Sequence, residues 1–596
     1  MPSKSRQPSA APIPVPAAAN GGGDAAADAR EVEWQLTAPD LGVVRRWLDQ
    51  HHLLDHLSIL PRPAQQLHDI YLDTEDWRLF RAGFALRLRA EAGRFEATLK
   101  GLHSARSDVA DRREITERLS LGGIKALAQA TGAVGSRVRD VAGAKRLRPL
   151  FEVRTSRQRF AVRSRDPAAD VGEVALDEAR FSRGSGQRRP MLLTRVELEA
   201  IGDDTGPLER LANRLRAECG LSRATENKFA VGLRSASLEP PRTARPDQEP
   251  APAIMDGATR ASDFAIAALR RLHREWQANE PPARLGEGPE PLHRLRVTAR
   301  RMATIVSLFH ACLPAGLRRS RRTLKGLLDT LGIVRDADIR LEAISSFRNR
   351  LPEGYRGALD PLLQHLHSER ARARATMLRA LDAKHTRDWL DTLPEQLTRT
   401  PPAASAASLR NAAALTVVPG LIQKRFRKLR KHARRLTAES ALTEFHDVRV
   451  RAKKLRYALE AVAPTYAKPA AEMLAALHKL QSKLGTQHDA DVIALYLTQL
   501  ASQPPATFTA ATLFTMGRMA ELHARQAECL GAKAARPWRR MRGKRWRALR
   551  SRMRELSDNA PARPNKDAAA GHGSRGNGKL LAGPAGRWAF AAAIGH

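Results

Sequence analysis

The hydrophobic period of the chain changes once, across residues 238–252 (LEPPRTARPDQEPAP), a stretch rich in proline and charge. Before it, runs such as HDIYLDT, FALRLRAEA, RFEATLKGL and LLTRVELEAI alternate apolar with polar residues, as strands do when their two faces meet different surroundings. After it, apolar residues recur at three and four, and Ala, Leu and Arg dominate, the pattern of packed helices. The expected fold is α+β: an antiparallel strand domain over 31–238, a linker over 239–260 and an almost wholly helical domain over 261–556. The first thirty residues read as a flexible arm, because Pro and Gly interrupt any candidate signal core. The tail 557–596, biased to Gly, Pro and Ala, reads as disordered.

The helical half repeats itself at an offset of 153 positions. His293, Arg296, Val297, Arg300 and Arg301 of HRLRVTARR fall on His446, Arg449, Val450, Lys453 and Lys454 of HDVRVRAKK. Further on, Leu331, Gly332, Asp336, Ala337 and Asp338 fall on Leu484, Gly485, Asp489, Ala490 and Asp491. One offset serves both blocks without a gap, so two similar helical bundles facing each other are expected.

Charge narrows the partner. The 596 residues hold 101 Lys and Arg against 63 Asp and Glu, a net +38, and a polyanion is the default ligand. DNA, RNA, an anionic membrane and polyphosphate all offer closely spaced negative groups, so charge alone does not choose among them. No apolar run reaches the roughly 18 to 20 residues that span a bilayer. Cys219, Cys312 and Cys529 are isolated and odd in number, which argues against a disulfide framework and a Cys-based zinc site. A cytoplasmic protein without a membrane span is expected; nothing in the sequence sets its oligomeric state. The cluster PWRRMRGKRWRALRSRMR (537–554) interleaves Trp538 and Trp546 with arginines. It suits nucleic-acid stacking, but a helix that packs its Trp face and solvates its Arg face is the favoured reading.

In the strand half, Glu31 with Glu33, Arg87 with Arg89, and Glu197 with Glu199 each place like charges two residues apart, on one face of a strand. A solvated sheet face explains one such pair. Three pairs on strands that close into a barrel share a lumen, where carboxylates suit oxygen-liganded Mg2+ or Mn2+ and Arg and Lys grip phosphate oxygens. The ordered series EVEWQ, YLDT (71–74), LRLR (86–89), TLKG (98–101), RRE (112–114), VALDEARF (174–181), VELE (196–199) and ENKFAVGL (226–233) resembles the CYTH family of triphosphate-tunnel proteins.

That resemblance implies an eight-stranded antiparallel tunnel that hydrolyses inorganic triphosphate with Mg2+ or Mn2+. It implies a phosphate-binding set of Arg87, Arg89, Lys100, Arg113, Arg157 and Lys228. It also implies a metal-binding set of Glu31, Glu33, Asp177, Glu197 and Glu199, with Glu31, Glu33 and Lys100 as the catalytic residues. Tripolyphosphate, thiamine triphosphate and ATP stay open as substrates, as does cyclase activity on ATP. Two positions depart from the family pattern: Gln35 stands where a lysine is usual, and Arg195 where the late acidic strand usually presents its first carboxylate. They leave a binding-only tunnel as the alternative to an enzyme.

In the helical half, His293, Arg296 and Arg300 form one stripe at i, i+3 and i+7, and His446, Arg449 and Lys453 repeat it. Like charges so stacked repel unless an anion fills the stripe. Snorkelling on a solvated face explains one stripe; duplication at a constant offset favours a shared groove. Asp336 and Asp489 read as local partners of the basic side chains. HxxRVxxRR and LGxxRDAD with their second copies resemble the CHAD family. The resemblance implies paired helical bundles whose basic groove binds long-chain polyphosphate, through His293, Arg296, Arg300, Arg301, Lys325, His446, Arg449, Lys453, Lys454, Lys483 and His488. An association with polyphosphate granules would follow; nucleic acid is not the favoured partner.

Overall fold

The computed structural model describes residues 27–102, 110–165, 168–183, 191–241, 254–398, 411–437 and 440–559. The expected arm before residue 27, linker residues 242–253 and the tail from residue 560 lie outside the described residues.

The strands are β1 (Ala27–Thr37), β2 (Leu53–Leu54), β3 (Leu57–Thr74), β4 (Phe84–Glu91), β5 (Arg94–Gly101), β6 (Ala110–Leu119), β7 (Leu147–Arg165), β8 (Ala168–Ser182), β9 (Met191–Ala200) and β10 (Ser222–Arg223). Neighbours run antiparallel in the order β1-β6-β5-β4-β3-β7-β8-β9, and β9 pairs back onto β1, so the long strands close an eight-membered ring. The short β2 and β10 pair with β3 and β1 off that path.

Alternation decides what the ring encloses. Val32, Trp34 and Leu36 of β1 point outward with Val196 and Leu198 of β9, into a core shared with the helices Leu41–Gln50 and Gly206–Cys219. On the other flank Leu86, Leu88, Leu99 and Ile115 pack beneath the helices Ile124–Gln129 and Ala133–Ala142. Each such buried Leu or Ile contributes about 1.5–3 kcal/mol. These two apolar cores lie outside the ring; a third, with Tyr71, Phe151, Val153, Phe181 and Phe229, occupies the inward parity toward one end, and the polar residues of that same parity face the lumen.

The helical domain shows the repeat in its backbone. Helices begin at Ala261 and Ala414, and at Glu290 and Leu442. The long element Leu442–Ser502 breaks at Ala467 (φ 45°, ψ −131°), between Pro464 and Pro469, close to the point where the first copy starts its Ala315–Arg350 helix. The copies meet on a local pseudo-two-fold: Ala261 N–H donates to Ala412 O at 3.0 Å, and Ala414 N–H to Thr259 O at 2.8 Å. Phe264, Leu295 and Leu331 share one continuous core with Ile422, Leu455 and Leu484, so the two bundles are fused. Met255 is buried in that core and its N–H donates to Thr465 Oγ1 at 2.9 Å, so the helical domain starts within the expected linker.

Charged groups join the domains. Arg284, 1% exposed, donates to Glu280 at 2.8 Å and to Asp382 at 2.9 Å, and its Nη1 lies 3.5 Å from the Asp140 carbonyl. Gly143 crosses at φ +57°, where a Cβ would lie 2.5 Å from Asp382 Oδ1 and 2.7 Å from Arg284 Nη1. Only glycine fits that approach without displacing the network.

Candidate functional sites: a charged tunnel and a basic groove

The lumen of the ring is a cavity of about 510 Å³. Glu31, Glu33 and Gln35 of β1, Arg87 and Arg89 of β4, Glu96 and Lys100 of β5, and Arg112 and Glu114 of β6 line it, with Arg157, Glu197, Glu199 and Lys228. Lys228 is placed by a cap. Asn227 accepts the Ala230 N–H at 2.8 Å and starts the helix Lys228–Ser235, whose first side chain enters the lumen.

Two ion-paired groups divide the lumen. Lys100 Nζ lies 2.5 Å from Glu31, 3.7 Å from Glu33 and 3.6 Å from Glu114. Arg157 binds Asp177 with two bonds of 2.7 Å and reaches Glu197 at 2.6 Å, while Lys228 bonds Asp177 and lies 3.0 Å from Glu197. Arg89 is held by Asp69 at 2.7 and 2.9 Å.

The pairing moves the titrations in opposite directions. Burial, reinforced by Glu33 and Glu114 and only partly offset by Lys100, pushes the Glu31 carboxyl up to about 8. Burial also raises Glu199. Burial acts the same way on Glu197, but Lys228 and Arg157 outweigh it and hold that group below the usual carboxylate range.

Several expected roles change on this geometry. Arg113 points out of the tunnel and bonds Glu287 at 2.6 Å, and Arg112 and Glu114 take the lumen. The phase was legible, because Arg113 has the parity of Ile115, which is buried outside the ring. Asp177 has the inward parity of Arg157 and Glu197 but is 0% exposed, and with Glu197 it is tied to Arg157 and Lys228. Among the described residues no group of three or more His, Cys, Asp or Glu is gathered to hold a metal ion, so the expected five-carboxylate set is not one cluster. Glu31, Glu33 and Glu199 nevertheless have the chemistry for one. All are oxygen donors, Glu33 and Glu199 stand directly across from each other on β1 and β9, and opposed like charges call for a cation.

Asp73 of the YLDT motif is structural. Its carboxylate accepts the N–H groups of Leu79 and Phe80, each at 2.9 Å.

The second cavity, about 1400 Å³, runs between the helical repeats. Both stripes line it: His293, Arg296 and Arg300 from one copy, His446, Arg449 and Lys453 from the other, with Lys454 and His488. Lys424 lines it from the helix that opens the second copy, and Arg335, Arg425 and Lys428 add charge that the motifs did not single out. Arg449 Nη2 lies 3.4 Å from Asp489, the expected local partner. The Nε atoms of Arg296 and Arg449, equivalent in the repeat, are buried and without a hydrogen-bond partner. Such donors cost free energy until an acceptor arrives. Burial, then Arg449, Arg300 and Arg296, pull the Lys453 ammonium down to about 7.

Three expected groove residues lie elsewhere. Arg301 sits 3.7 Å from both Glu275 and Glu460, and Lys325 and Lys483 are exposed outside the cavity lining. Lys483 precedes Asp489 by six residues, about 240° round the helix, which turns it away. Trp546 stacks on Phe426 with centroids 3.7 Å apart, and Trp538 is buried in the core, so these tryptophans pack inward rather than facing a nucleic acid. Among the described residues no helix is long and apolar enough to cross a membrane.

Residues 44–232 match the family model of the CYTH domain, and residues 267–498 that of the CHAD domain. Similar solved structures include PptA from Streptomyces chartreusis, at 21% identity and TM-score 0.38, covering 48% of this chain and 99% of that one. The CHAD domain from the plant Ricinus communis is similar at 24% identity and TM-score 0.36, covering 51% of this chain and 94% of that one. HpAC1 from Hippeastrum, described as having a dominant triphosphatase activity, is similar at 20% identity and TM-score 0.25, covering 35% and 98%. The chain joins a CYTH domain to a CHAD domain.

Proposed function

We propose that the tunnel hydrolyses inorganic triphosphate and that the groove between the helical repeats holds long-chain polyphosphate. The observation that carries the first half is the lumen itself. Lys100, Arg87, Arg112, Arg157 and Lys228 converge on one cavity from five elements, beside carboxylates whose proximity is unfavourable without added cation. Phosphate oxygens compete for the cations now held by Glu31, Glu114 and Glu197, exchanging internal ion pairs for charge-assisted bonds to substrate.

Mg2+ or Mn2+ fits Glu31, Glu33 and Glu199, and when bound it would offset phosphate charge and help orient the attacking water. The protein's own part is to clamp the chain and place its terminal phosphorus. A water oxygen bonds to that phosphorus as the bridging P–O bond breaks, releasing orthophosphate, diphosphate and a proton.

In the groove, the paired arginines with unpartnered Nε atoms support the second half of the reading. A binding-only protein that localises to polyphosphate is the second reading, and the observation favouring it is that Lys100, Arg157 and Lys228 are already neutralised by internal carboxylates. Phosphate release from tripolyphosphate and from ATP, with and without Mg2+ or Mn2+, decides. Metal-dependent release supports the enzyme, and its absence with polyphosphate binding retained leaves the second reading.

A further inference from the structure

The two departures from the family pattern touch each other. Gln35 lies on β1 and Arg195 on β9, strands that pair to close the ring, with Gln35 opposite Glu197 and Thr37 opposite Arg195. Arg195 Nη1 donates to Gln35 Oε1 at 3.1 Å, and Gln35 Nε2 donates to Glu33 Oε1 at 2.6 Å. A guanidinium is thus linked to a lumen carboxylate through one amide. Only a group that accepts at one end and donates at the other can bridge those two, and a lysine has no acceptor.

The charges around Arg195 explain why it is tolerated. It is 2% exposed, its Nε has no hydrogen-bond partner, and burial lowers its proton affinity. Glu197, Glu33, Asp177 and Glu226 act in the opposite sense and keep the cation favourable. Asp177 and Glu197 are bonded to Arg157 and Lys228, whereas Glu33 receives the amide that Arg195 orients. A lysine at position 35 would set an ammonium against this guanidinium.

We infer that Arg195 is a positioning residue of the tunnel: from β9 it supplies the fixed positive charge that the family pattern places on β1, and through Gln35 it aims the Glu33 carboxylate into the lumen. The charge has been exchanged across one strand pair, and the two substitutions make sense only together. This assignment rests on the reading of the tunnel as a triphosphate site, because it makes Glu33 the group whose placement matters.

The test is a double-mutant cycle on the full-length protein, read two ways. In tripolyphosphate hydrolysis, Arg195→Glu and Gln35→Lys each lower kcat by about tenfold, with KM moved by less than about threefold. The exchanged pair Gln35→Lys/Arg195→Glu regains most of that loss. Losses that simply multiply in the double variant, to within about twofold, overturn the inference, as does a change confined to KM. The same cycle is measured by thermal unfolding without ligand: recovery of Tm in the exchanged pair supports the coupling, and additive Tm losses overturn it. Wild-type protein that neither binds nor cleaves tripolyphosphate refutes the proposed function, while the unfolding cycle still decides whether Gln35 and Arg195 act as a unit.

Discussion

Arg113 Nη1 lies 2.6 Å from Glu287 Oε2, and Glu287 Oε1 accepts from Arg137 Nε at 3.1 Å. A tunnel strand is therefore fastened to the turn between Ala261–Leu285 and Glu290–Leu308, the helix that carries His293, Arg296 and Arg300 into the groove. One wall of each cavity shares this joint.

The buried part of the joint should govern stability. Replacing Arg284 with Met removes the partner of Glu280 at 2.8 Å and leaves that buried carboxylate the Trp276 indole N–H, at 2.7 Å, and the Arg78 guanidinium, at 3.6 Å. Removing one member of a buried ion pair costs about 3–5 kcal/mol. Calorimetry should show a Tm lowered by roughly 10 °C; a shift under about 2 °C would mean that the network adds nothing net.

The tunnel carboxylates should separate from the fold. Glu33→Gln keeps the shape and the acceptor that Gln35 uses, but removes a charge from a side chain that is 3% exposed and faces the lumen. Tripolyphosphate hydrolysis should fall by about 100-fold or more, the scale for loss of one group that stabilises transition-state charge, while the circular dichroism spectrum stays as in wild type. Undiminished turnover would remove Glu33 from the chemistry.

Both domain types and the repeat were legible because each rests on period alone: two for the ring, three to four for the helices, and one offset that reappears in the helix starts at Ala261 and Ala414. Individual side chains were legible only where parity was followed through. Its place in RRE puts Arg113 in the phosphate-binding set, whereas its parity with Ile115 turns it outward. The Gln35–Arg195 contact was not legible, since no local rule says that β9 returns to β1 with those residues adjacent. Nor does a motif reveal that Asp177 is fully enclosed by Arg157 and Lys228.

The groove should take up a proton with its ligand. Lys453 titrates near 7 because burial and the cations Arg449, Arg300 and Arg296 disfavour its charged form, with Asp489 a smaller opposing influence and His488 itself lowered to about 4. The sign follows from the depressed value. Below about pH 7 the ammonium is charged in both folded and unfolded chain and the penalty on folding is complete; as pH rises toward the ordinary lysine value of 10.5 the folded protein is relieved of it. A polyanion reverses the preference, so polyphosphate affinity should fall from pH 6 to pH 9 at constant salt, with proton uptake visible by calorimetry in buffers of different ionisation enthalpy. Lys453→Arg, charged throughout, should flatten the profile; an equally steep profile in that variant would exonerate Lys453.

Polyphosphate and nucleic acid are separated by where charge reversal hurts. Both ligands weaken as salt rises, because counterion release governs each, so salt dependence does not discriminate between them. Position does. Arg296 and Arg449 are equivalent residues facing one cavity, each with a buried donor free of a hydrogen-bond partner, whereas Arg547 and Arg550 are exposed on the helix Trp546–Asp558, whose Leu549 and Met553 pack into the core. Hydrogen bonds between charged groups are worth about 1.5–3 kcal/mol each, so Arg296→Glu/Arg449→Glu should weaken long-chain polyphosphate binding by about 100-fold or more. Arg547→Glu/Arg550→Glu changes the net charge equally and, acting through screened surface attraction, should cost no more than about threefold. Wild-type protein should prefer polyphosphate to duplex DNA at matched phosphate concentration, because a groove between two helical repeats admits a thin chain and offers no element shaped to enter a duplex groove. Equal losses from the two reversals, or equal affinity for the two polymers, would replace the defined groove with diffuse basic attraction.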